Sequence, residues 1–551
     1  MTAARVEVNM ASGDRRVTRR QLLKAGAAIP AAVASLQLLG AEASAAAGGA
    51  GPSNVVQLEN SLQGTTAWQL TNPDWNGVIC GYASDVSINR GQPITFYFSA
   101  SQDTVGTFAI YRLGWYGGKG GRLITGPFTI NLSNQKTPAP NPTTGLNDMG
   151  WKASFVDNSQ TSANSATIWP SGVYVAVITG HTTGLQEYVT FVVRDDARAS
   201  DILFQQSVLT YQAYNFWGGI SLYPNANNVE GLEVSFNRPY DRSWGAGDLL
   251  CWDIQLIRFL ERYGYDVTYA TDIDMARGRC IEAPHKAIVL GGHDEYWTYG
   301  MRLNMETCIS NGINLAVFGA DACYWQVRLQ PDANGNPDRT IVAYKTSAAN
   351  DPYYLTGQSL TTPQAAYYNN RVTGLWRAAP LNAPEAALLG GMFHLYPASG
   401  NVIVDNASHW FWANTGAVNG TAIPGILGYE TDAVAPSSPA NTVLLTNSPD
   451  AAGYANSTIY TAPSGAQVFN AGTMFWSFGL DSYPSWWTYS NPQNLVSPVA
   501  QQATLNLLNN FTYQKPIIAS NLLDTPAPAS HLLAQGDAPK CPRDRRMNPY
   551  G

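Results

Sequence analysis

The sequence predicts a multidomain protein in which an all-β domain at residues 55–197 precedes an α/β domain at residues 198–515. Three observations support this fold class. The chain has 551 residues, which is too many for a single hydrophobic core. Short β-branched and aromatic runs, separated by Gly, Pro, Asn and Ser, fill the first region. In the second region strand-like and helix-like segments alternate, which is typical of parallel βαβ units.

Four runs in residues 55–197 have the pattern of β-strands, and no convincing helix-period segment interrupts them. They are ITFYFSA (94–100), TFAIYRLG (107–114), VYVAVITG (173–180) and YVTFVVRD (188–195). Short strands with turn residues between them predict an antiparallel β-sandwich of immunoglobulin-like type.

From residue 198 the predicted elements change type along the chain. A helix is predicted for GDLLCWDIQLIRFLERYG, where Leu250 and Ile254 have helical spacing and Gly264 ends the segment. The other elements are the strands DILFQQS, YDVTYAT, KAIVLGG and INLAVFGA and the helix YGMRLNMETCISNG, and the region continues through GAQVFNAG to a last helix, VSPVAQQATLNLLNNF. This order predicts a mainly parallel sheet. Residues 516–551 are Pro-rich and are predicted to form a loosely held tail.

Residues 1–45 have the features of a twin-arginine signal peptide. The segment TRRQLLK (18–24) carries an arginine pair, and an apolar stretch of 13 residues and the small-residue segment AEASAAA follow it. The apolar stretch is shorter than the roughly 20 residues that a membrane-spanning helix needs. We therefore predict export to the periplasm, the cell envelope or the medium, without a transmembrane span after cleavage. The alternative interpretation is a basic, Ala-rich tail.

The composition argues against a nucleic-acid-binding protein. The net charge is −7, charged residues make up 13% of the chain, and no basic stripe follows the first 25 residues. The six cysteines form no C-x-x-C motif, so neither a zinc ribbon nor a thiol redox site is predicted. The sequence does not show which cysteines pair.

Three polar, aromatic loops follow predicted strands of the α/β domain. GGHDEYW (291–297) follows KAIVL, GADACYW (319–325) follows INLAVF, and YQAYNFWGG (211–219) follows the first strand. In open parallel sheets, ligands bind at the carboxyl ends of the strands. We therefore expect these loops to form one functional site.

The residues of GGHDEYW allow three interpretations. Asp294 paired with Glu295 or Glu430 would suit glycoside hydrolysis. Glu295 and His293 would instead suit a metal site. The third interpretation is a salt-bridged strand end without chemistry. The chain has no G-x-S-x-G or H-E-x-x-H motif and no cysteine at the strand-end turn, so a nucleophile relay is only weakly supported.

Three motifs together carry a resemblance to a known family. YRLGWYGGKGGR (111–122), YQAYNFWGG and GGHDEYWTYGMR (291–302) resemble the large, or beta, subunit of N,N-dimethylformamidase and its relatives. The resemblance extends from about residue 55 to 515. It implies a glutamine-amidotransferase-like α/β domain without the nucleophilic cysteine. It also implies a mononuclear iron, a small amide substrate, and a small partner subunit in a homo-oligomer.

The resemblance implies that two tyrosinates and one glutamate hold Fe(III). Carried onto this sequence, the ligands are Tyr174, Tyr214 and Glu295. Phenolate and carboxylate are hard oxygen donors, which suit this ion better than zinc. From the residues alone Tyr174 is better explained by packing, because it shares one strand face with Ala176 and Ile178. As a ligand it would place the metal between the two domains.

The same resemblance assigns four further residues to the site. His293 would support the metal ligands, Lys345 would line the substrate site, and Glu430 would handle protons. At the position of Asp321 the family usually has Asn. An amide can donate a hydrogen bond to a substrate oxygen, whereas an ionised carboxylate only accepts, so this difference bears on activity toward small formamides.

These inferences predict an exported, iron-dependent hydrolase that cleaves a non-peptide C–N amide bond with metal-activated water. The alternative hypothesis is an exported binding or surface protein that has the same scaffold without catalysis and recognises glycans through its aromatic side chains. Convergence of the three ligand side chains would favour the enzyme.

Overall fold

A computed structural model describes residues 54–158, 169–279, 283–485 and 495–513. The predicted signal peptide, the predicted C-terminal tail, Cys280 and Cys541 lie outside the described residues. All described residues belong to the unit Asn54–Gly551. The described cysteines are buried free thiols, namely Cys80, Cys251, Cys308 and Cys323. Within the described ranges, no helix has the length and apolar character needed to cross a membrane.

The N-terminal region consists of two β-sheets preceded by helix α1 (Val55–Ser61). Its strands are β1 (Ile79–Ala83), β2 (Ser87–Asn89), β3 (Ile94–Ala100), β4 (Val105–Leu113), β5 (Gly121–Asn131), β6 (Phe155–Asp157), β7 (Gly172–Gly180) and β8 (Gln186–Arg194). One sheet has the order β2-β8-β7-β4-β5, and the other has the order β1-β3-β6. All pairs are antiparallel except β2 with β8. The four predicted strands are confirmed as β3, β4, β7 and β8.

Side chains from both sheets fill one core. The ring centroid of Phe96 in β3 lies 5.6 Å from that of Phe108 in β4 and 5.8 Å from that of Phe191 in β8. Along β3, Ile94, Phe96 and Phe98 are buried and the residues between them are less so. This period of two lets one face of each sheet pack against the other, and the two sheets form a sandwich.

A seven-stranded sheet lies at the centre of the region that follows. Its strands are β9 (Ile202–Gln206), β11 (Val267–Thr271), β12 (Ala287–Leu290), β14 (Asn314–Val317), β19 (Val443–Leu444), β22 (Thr458–Thr461) and β23 (Gln467–Asn470). The strand order is β11-β9-β12-β14-β23-β22-β19, and the first five strands are parallel. The predicted parallel strands are confirmed. The antiparallel extension by β22 and β19 was not predicted.

Smaller sheets and helices surround this central sheet. The remaining strands are β10 (Glu233–Ser235), β13 (Tyr296–Thr298), β15 (Trp325–Gln330), β16 (Thr340–Val342), β17 (Met392–Ile403), β18 (Ala422–Ala433), β20 (Ser448–Asp450) and β21 (Gly453–Ala455). The helices are α2 (Val208–Ala213), α3 (Ile254–Arg262), α4 (Asp272–Ala276), α5 (Tyr299–Ser310), α6 (Pro352–Ser359), α7 (Gln364–Asn369), α8 (Ala386–Leu389) and α9 (Pro498–Thr512). Strands β17 and β18 form a long antiparallel pair. The predicted site residue Glu430 lies in β18.

The predicted long helix is present, but its first turn differs from the prediction. Residues Leu249–Asp253 form a π-helical turn, and the regular helix α3 follows. The turn brings Asp253 against the end of β12, where a Cβ atom on Gly291 would lie 1.9 Å from Asp253 Oδ1. Gly291 is therefore required by the close approach of the two segments. Gly264, with φ +68°, ends the helix as predicted.

A buried ion pair joins the sandwich to the α/β region. Arg112 in β4 donates to Glu261 in α3 at 2.6 and 3.1 Å, and neither side chain is exposed. Tyr269 also donates to Glu261 at 2.9 Å. Two parallel bonds between a guanidinium and a carboxylate fix the relative orientation of the elements that carry them.

We expect Arg112→Met to destabilise the protein by about 3–5 kcal/mol, because Glu261 would stay buried without its charge partner. Urea unfolding monitored by tryptophan fluorescence measures the loss. The control is Arg277→Met, which removes a partly exposed pair with Asp338 and should cost less than about 1 kcal/mol. Equal losses in the two variants would contradict the assigned role of Arg112.

Candidate functional site

The polar loops lie where the strand order of the parallel sheet reverses. The chain places β11 on one side of β9 and β12 on the other, and later parallel strands follow beyond β12. In sheets with this order, ligands bind in the crevice at the carboxyl ends of the two strands that flank the reversal. Tyr214 directly follows α2, which begins after β9, and Glu295 lies in the loop after β12. Both loops therefore reach the expected ligand site.

Glu295 accepts hydrogen bonds from two tyrosines. Tyr214 donates to Oε2 at 2.6 Å, and Tyr223 donates to Oε1 at 2.7 Å. The two rings stack with their centroids 4.4 Å apart. The hydroxyl of Thr210 in α2 accepts the backbone N–H of Glu295 at 3.0 Å, which ties the two loops together. We call Tyr214, Tyr223 and Glu295 the Tyr–Glu cluster.

The surroundings of the Tyr–Glu cluster favour neutral phenols when no metal ion is present. Burial raises the pKa of Tyr214 and of Tyr223 well above the ordinary value, and the nearby charge of Glu295 raises both further. The phenols therefore stay protonated and donate to the carboxylate. A bound metal ion would reverse this preference, because its charge stabilises the phenolate.

A cation lies over each of the two stacked rings. The guanidinium carbon of Arg242 is 5.0 Å from the Tyr214 centroid, and Lys345 Nζ is 4.2 Å from the Tyr223 centroid. Lys345 is also 3.4 Å from Glu230. Cations over aromatic faces are attracted to electron-rich rings, so both side chains favour the phenolate form of the tyrosine they cover. The predicted site residue Lys345 therefore stabilises the phenolate form of Tyr223.

A second group, which we call the acid–histidine cluster, consists of His293, Asp321 and Glu430. One donor atom of each residue lies within 4.8 Å of the other two. His293 Nε2 is 3.4 Å from Glu295 Oε2 and 3.6 Å from Glu430 Oε2, so this cluster adjoins the Tyr–Glu cluster. Asp321 lies after β14, whereas Glu430 lies inside β18 rather than at the end of a central strand.

The acid–histidine cluster has ionisations close to neutral pH. Burial raises the pKa of Glu430 to about 7, and the charge of Glu295 contributes. Burial and the charge of Glu430 raise the pKa of Asp321 well above its ordinary value. Burial lowers the pKa of His293, but Glu295 and Glu430 outweigh it and the net shift is upward. The cluster can therefore exchange protons in the physiological range.

The structure does not support the carbohydrate interpretation of these carboxylates. Asp294 Oδ2 accepts a hydrogen bond from Gln205 at 2.8 Å, and burial raises the pKa of Asp294 to about 8. Asp294, Glu295 and Glu430 are each less than one tenth exposed. Within the described residues they do not flank an open groove, which cleavage of a sugar polymer would need.

A family model described as N,N-dimethylformamidase beta subunit-like, C-terminal, matches residues 107–492, which is more than half of the chain. The chain belongs to this family. The resemblance carried by the sequence motifs is thereby confirmed. No curated protein matches the chain significantly. The matched range includes every residue of the Tyr–Glu cluster and of the acid–histidine cluster.

In this dimethylformamidase-like chain, Tyr174 does not join the Tyr–Glu cluster. It lies in the sandwich core, stacked between Trp169 at 5.6 Å and Phe191 at 5.5 Å. Its hydroxyl donates to the carbonyl oxygen of Pro170 at 2.5 Å. The assignment of Tyr174 as a metal ligand is therefore corrected, because its phenol is enclosed in a separate core and already has a partner.

Tyr223, and not Tyr174, is the second tyrosine that contacts Glu295. It lies nine positions after Tyr214 in the same aromatic stretch, YQAYNFWGGISLYP. The stretch leaves α2 and returns alongside it, as shown by the backbone bond from Leu222 to Ala213 at 3.0 Å. No periodic pattern marks Tyr223. The available signal was its closeness to Tyr214 along the chain. Two tyrosines in one loop can reach the same carboxylate without contact between two domains.

An aromatic wall borders the acid–histidine cluster of the dimethylformamidase-like chain. The Trp252 ring centroid lies 6.1 Å from that of His293. Trp252 stacks with Phe475 and Phe478 at centroid distances of 6.2 and 5.9 Å. Such a wall excludes water and offers contact to apolar groups of a small ligand.

Proposed function

We propose that this chain is an exported, iron-dependent amidohydrolase that cleaves the C–N bond of a small, non-peptide amide. The observation that carries the proposal is the Tyr–Glu cluster, in which two buried phenols meet one buried carboxylate where the strand order reverses. Family membership supports the reaction class, because the family description refers to N,N-dimethylformamidase. Export is supported by the predicted signal peptide.

Tyr214, Tyr223 and Glu295 would hold the iron. Their oxygens already lie close together, because both phenols donate to the Glu295 carboxylate, at 2.6 and 2.7 Å. Two phenolates and one carboxylate carry three negative charges, which match Fe(III), and such hard donors favour it over zinc. When bound, the ion supplies Lewis acidity that polarises an amide carbonyl and acidifies water.

Glu430 is the group best placed to move protons. A pKa of about 7 leaves it partly ionised at neutral pH, so that it can accept a proton from water and return one to the leaving amine. His293 Nε2 lies 3.4 Å from Glu295 and 3.6 Å from Glu430, so that a protonated imidazole would offset the charge of both carboxylates. The aromatic wall keeps bulk water away and contacts the substituents of the amide.

Hydrolysis of N,N-dimethylformamide and other small amides by the iron-loaded protein, measured as amine release, tests the proposal. We expect the rate to fall as the pH drops below about 7, because protonated Glu430 cannot act as a base. Glu430→Gln should lower kcat by about 10²–10⁴-fold while the iron content stays at the wild-type level. No amine release from iron-loaded protein would favour the non-catalytic binding alternative.

The proposal is accompanied by finer predictions about the fold classes of the two regions and about partner subunits. The immunoglobulin-like class of the sandwich and the glutamine-amidotransferase-like class of the α/β region remain predictions from the sequence. The family description refers to a beta subunit, which supports a partner subunit, whereas the homo-oligomer remains a prediction from the sequence resemblance. The mass of the native complex, purified from its source cells, would reveal both.

A further inference from the structure

Arg238 is buried against the loop that carries both tyrosines of the Tyr–Glu cluster. It is 1% exposed, and its guanidinium donates to four backbone carbonyl oxygens within residues 212–220. The four bonds, at 2.8, 2.9, 3.0 and 3.5 Å, reach the carbonyl oxygens of Ile220, Asn215, Trp217 and Gln212, respectively. Tyr214 lies inside this stretch and Tyr223 follows it, so one side chain supports the backbone on which both phenols depend.

The residues that follow Arg238 make further contacts with the same loop. The side-chain amide of Asn215, which is itself buried, donates to the carbonyl oxygen of Pro239 at 2.8 Å. Four residues after Arg238, the guanidinium of Arg242 lies over the ring of Tyr214. This short segment therefore contacts the loop through its backbone, through one of its polar side chains and through a ring of the Tyr–Glu cluster.

The bonds of Arg238 depend on the shape of the guanidinium as well as on its charge. Within the described residues, Arg238 donates only to backbone carbonyl oxygens and to no carboxylate. Burial lowers the pKa of its side chain to about 10, so it is charged at neutral pH and needs acceptors. A guanidinium holds its N–H donors in a rigid plane, whereas a lysine ammonium is a compact group with fewer donors than there are carbonyl oxygens to bond.

We propose that Arg238, assisted by Asn215, is a positioning residue that holds Tyr214 and Tyr223 at Glu295 before a metal binds. The loop needs such support, because its regular structure after α2 is one short turn, and buried carbonyl oxygens must find donors elsewhere. Ligands that are already in place bind a metal more tightly, since less freedom of the chain is lost on binding. The inference rests on the proposed function for the identity of the metal, and Arg238 itself contacts no reacting atom.

Arg238→Lys tests this role in the full chain, because it keeps the positive charge and removes the planar fork. We expect the iron affinity to fall about 10–100-fold, as it does when a residue that supports a metal ligand is lost. The visible tyrosinate-to-iron band should weaken per bound iron. In the metal-free protein, hydrogen–deuterium exchange should become faster at residues 212–223 and stay unchanged in the central sheet, because only the loop loses its bonds.

Arg112→Lys is the matched control. It changes another buried guanidinium, which donates to two backbone carbonyl oxygens outside the loop, at 3.0 and 3.3 Å. This variant should lower the midpoint of urea unfolding while the iron affinity and the exchange of residues 212–223 stay at the wild-type level. An equal loss of iron affinity in Arg112→Lys and Arg238→Lys would mean that Arg238 only stabilises the fold, and would overturn the proposal.

The exchange measurement needs no metal and therefore separates this proposal from the proposed function. Unchanged exchange at residues 212–223 in Arg238→Lys, or iron affinity at the wild-type level, would overturn the positioning role and leave the iron site standing. Faster exchange in Arg238→Lys, with a wild-type protein that takes up no iron, would support the positioning role and overturn the iron-dependent function. If Arg238→Lys does not fold, Asn215→Ala takes its place, with smaller effects of the same sign expected and no effect on exchange contradicting the role.

Discussion

Glu295→Gln is expected to remove iron binding and amide hydrolysis together. The amide has nearly the size of the carboxylate, but it lacks the negative charge, and its NH₂ group would face a phenol that is itself a donor. Tyr214 and Tyr223 would lose their shared acceptor, and the metal would lose a hard anionic ligand. We expect the iron affinity and the rate of amide hydrolysis each to fall at least about a hundredfold. Loss of a residue that only supports a metal ligand costs about 10–100-fold, and Glu295 is itself the proposed ligand.

Metal analysis and the visible band measure the iron, and amine release measures the rate. The matched control is Glu187→Gln in β8. Burial and the nearby Asp74 raise the pKa of Glu187 well above its ordinary value, which favours the neutral form, and Gln has nearly the shape of that form. This variant should keep full iron and full activity. If Glu295→Gln kept the iron and the band of the wild type, the Tyr–Glu cluster could not be the iron site.

The parallel sheet could be predicted because its signal is local. The residues of β12, AIVL, are all buried, and a short apolar run followed by glycines is recognisable without knowledge of its partners. Strands β13, β15 and β16 were not predicted. They are three to six residues long, and two of their pairings, β13 with β15 and β16 with β10, join segments well separated in the chain. Their stability comes from tertiary contacts rather than from an alternating pattern of their own.

Part of the site could also be predicted, because it depends on the same local strand signals. Glu295 and Asp321 follow strands of the parallel sheet, so the rule for open sheets places them at one edge. Tyr223, the second tyrosine that bonds to Glu295, could not be found in this way. Periodicity identifies which residues of a strand share a face, but it does not tell which of two cores that face meets. Tyr174 is the example: its face was predicted correctly, and the structure shows that this face packs inside the sandwich.

Tyr223→Phe is expected to weaken iron binding, whereas Tyr174→Phe is expected to leave it unchanged. Phenylalanine keeps each ring and removes only the hydroxyl. In Tyr223→Phe the bond to Glu295 Oε1 is lost and the metal loses a phenolate, so iron affinity should fall about 10–100-fold or more and the tyrosinate band should weaken by roughly half. In Tyr174→Phe the stacking on Trp169 and Phe191 remains. Only the bond to Pro170 is lost, at a cost of about 1 kcal/mol in stability.

Iron titration with the visible band, followed by urea unfolding of the same preparations, gives both quantities for each variant. A selective loss of iron in Tyr223→Phe would place both tyrosine ligands in one loop, so that the metal needs only the α/β region and no ligand from the sandwich. Loss of iron in Tyr174→Phe with full retention in Tyr223→Phe would reverse this conclusion. It would require the sandwich core to open and turn the phenol of Tyr174 toward Glu295. The stacked rings and the bond to Pro170 oppose such a movement, because both would have to break before the hydroxyl could reach a metal.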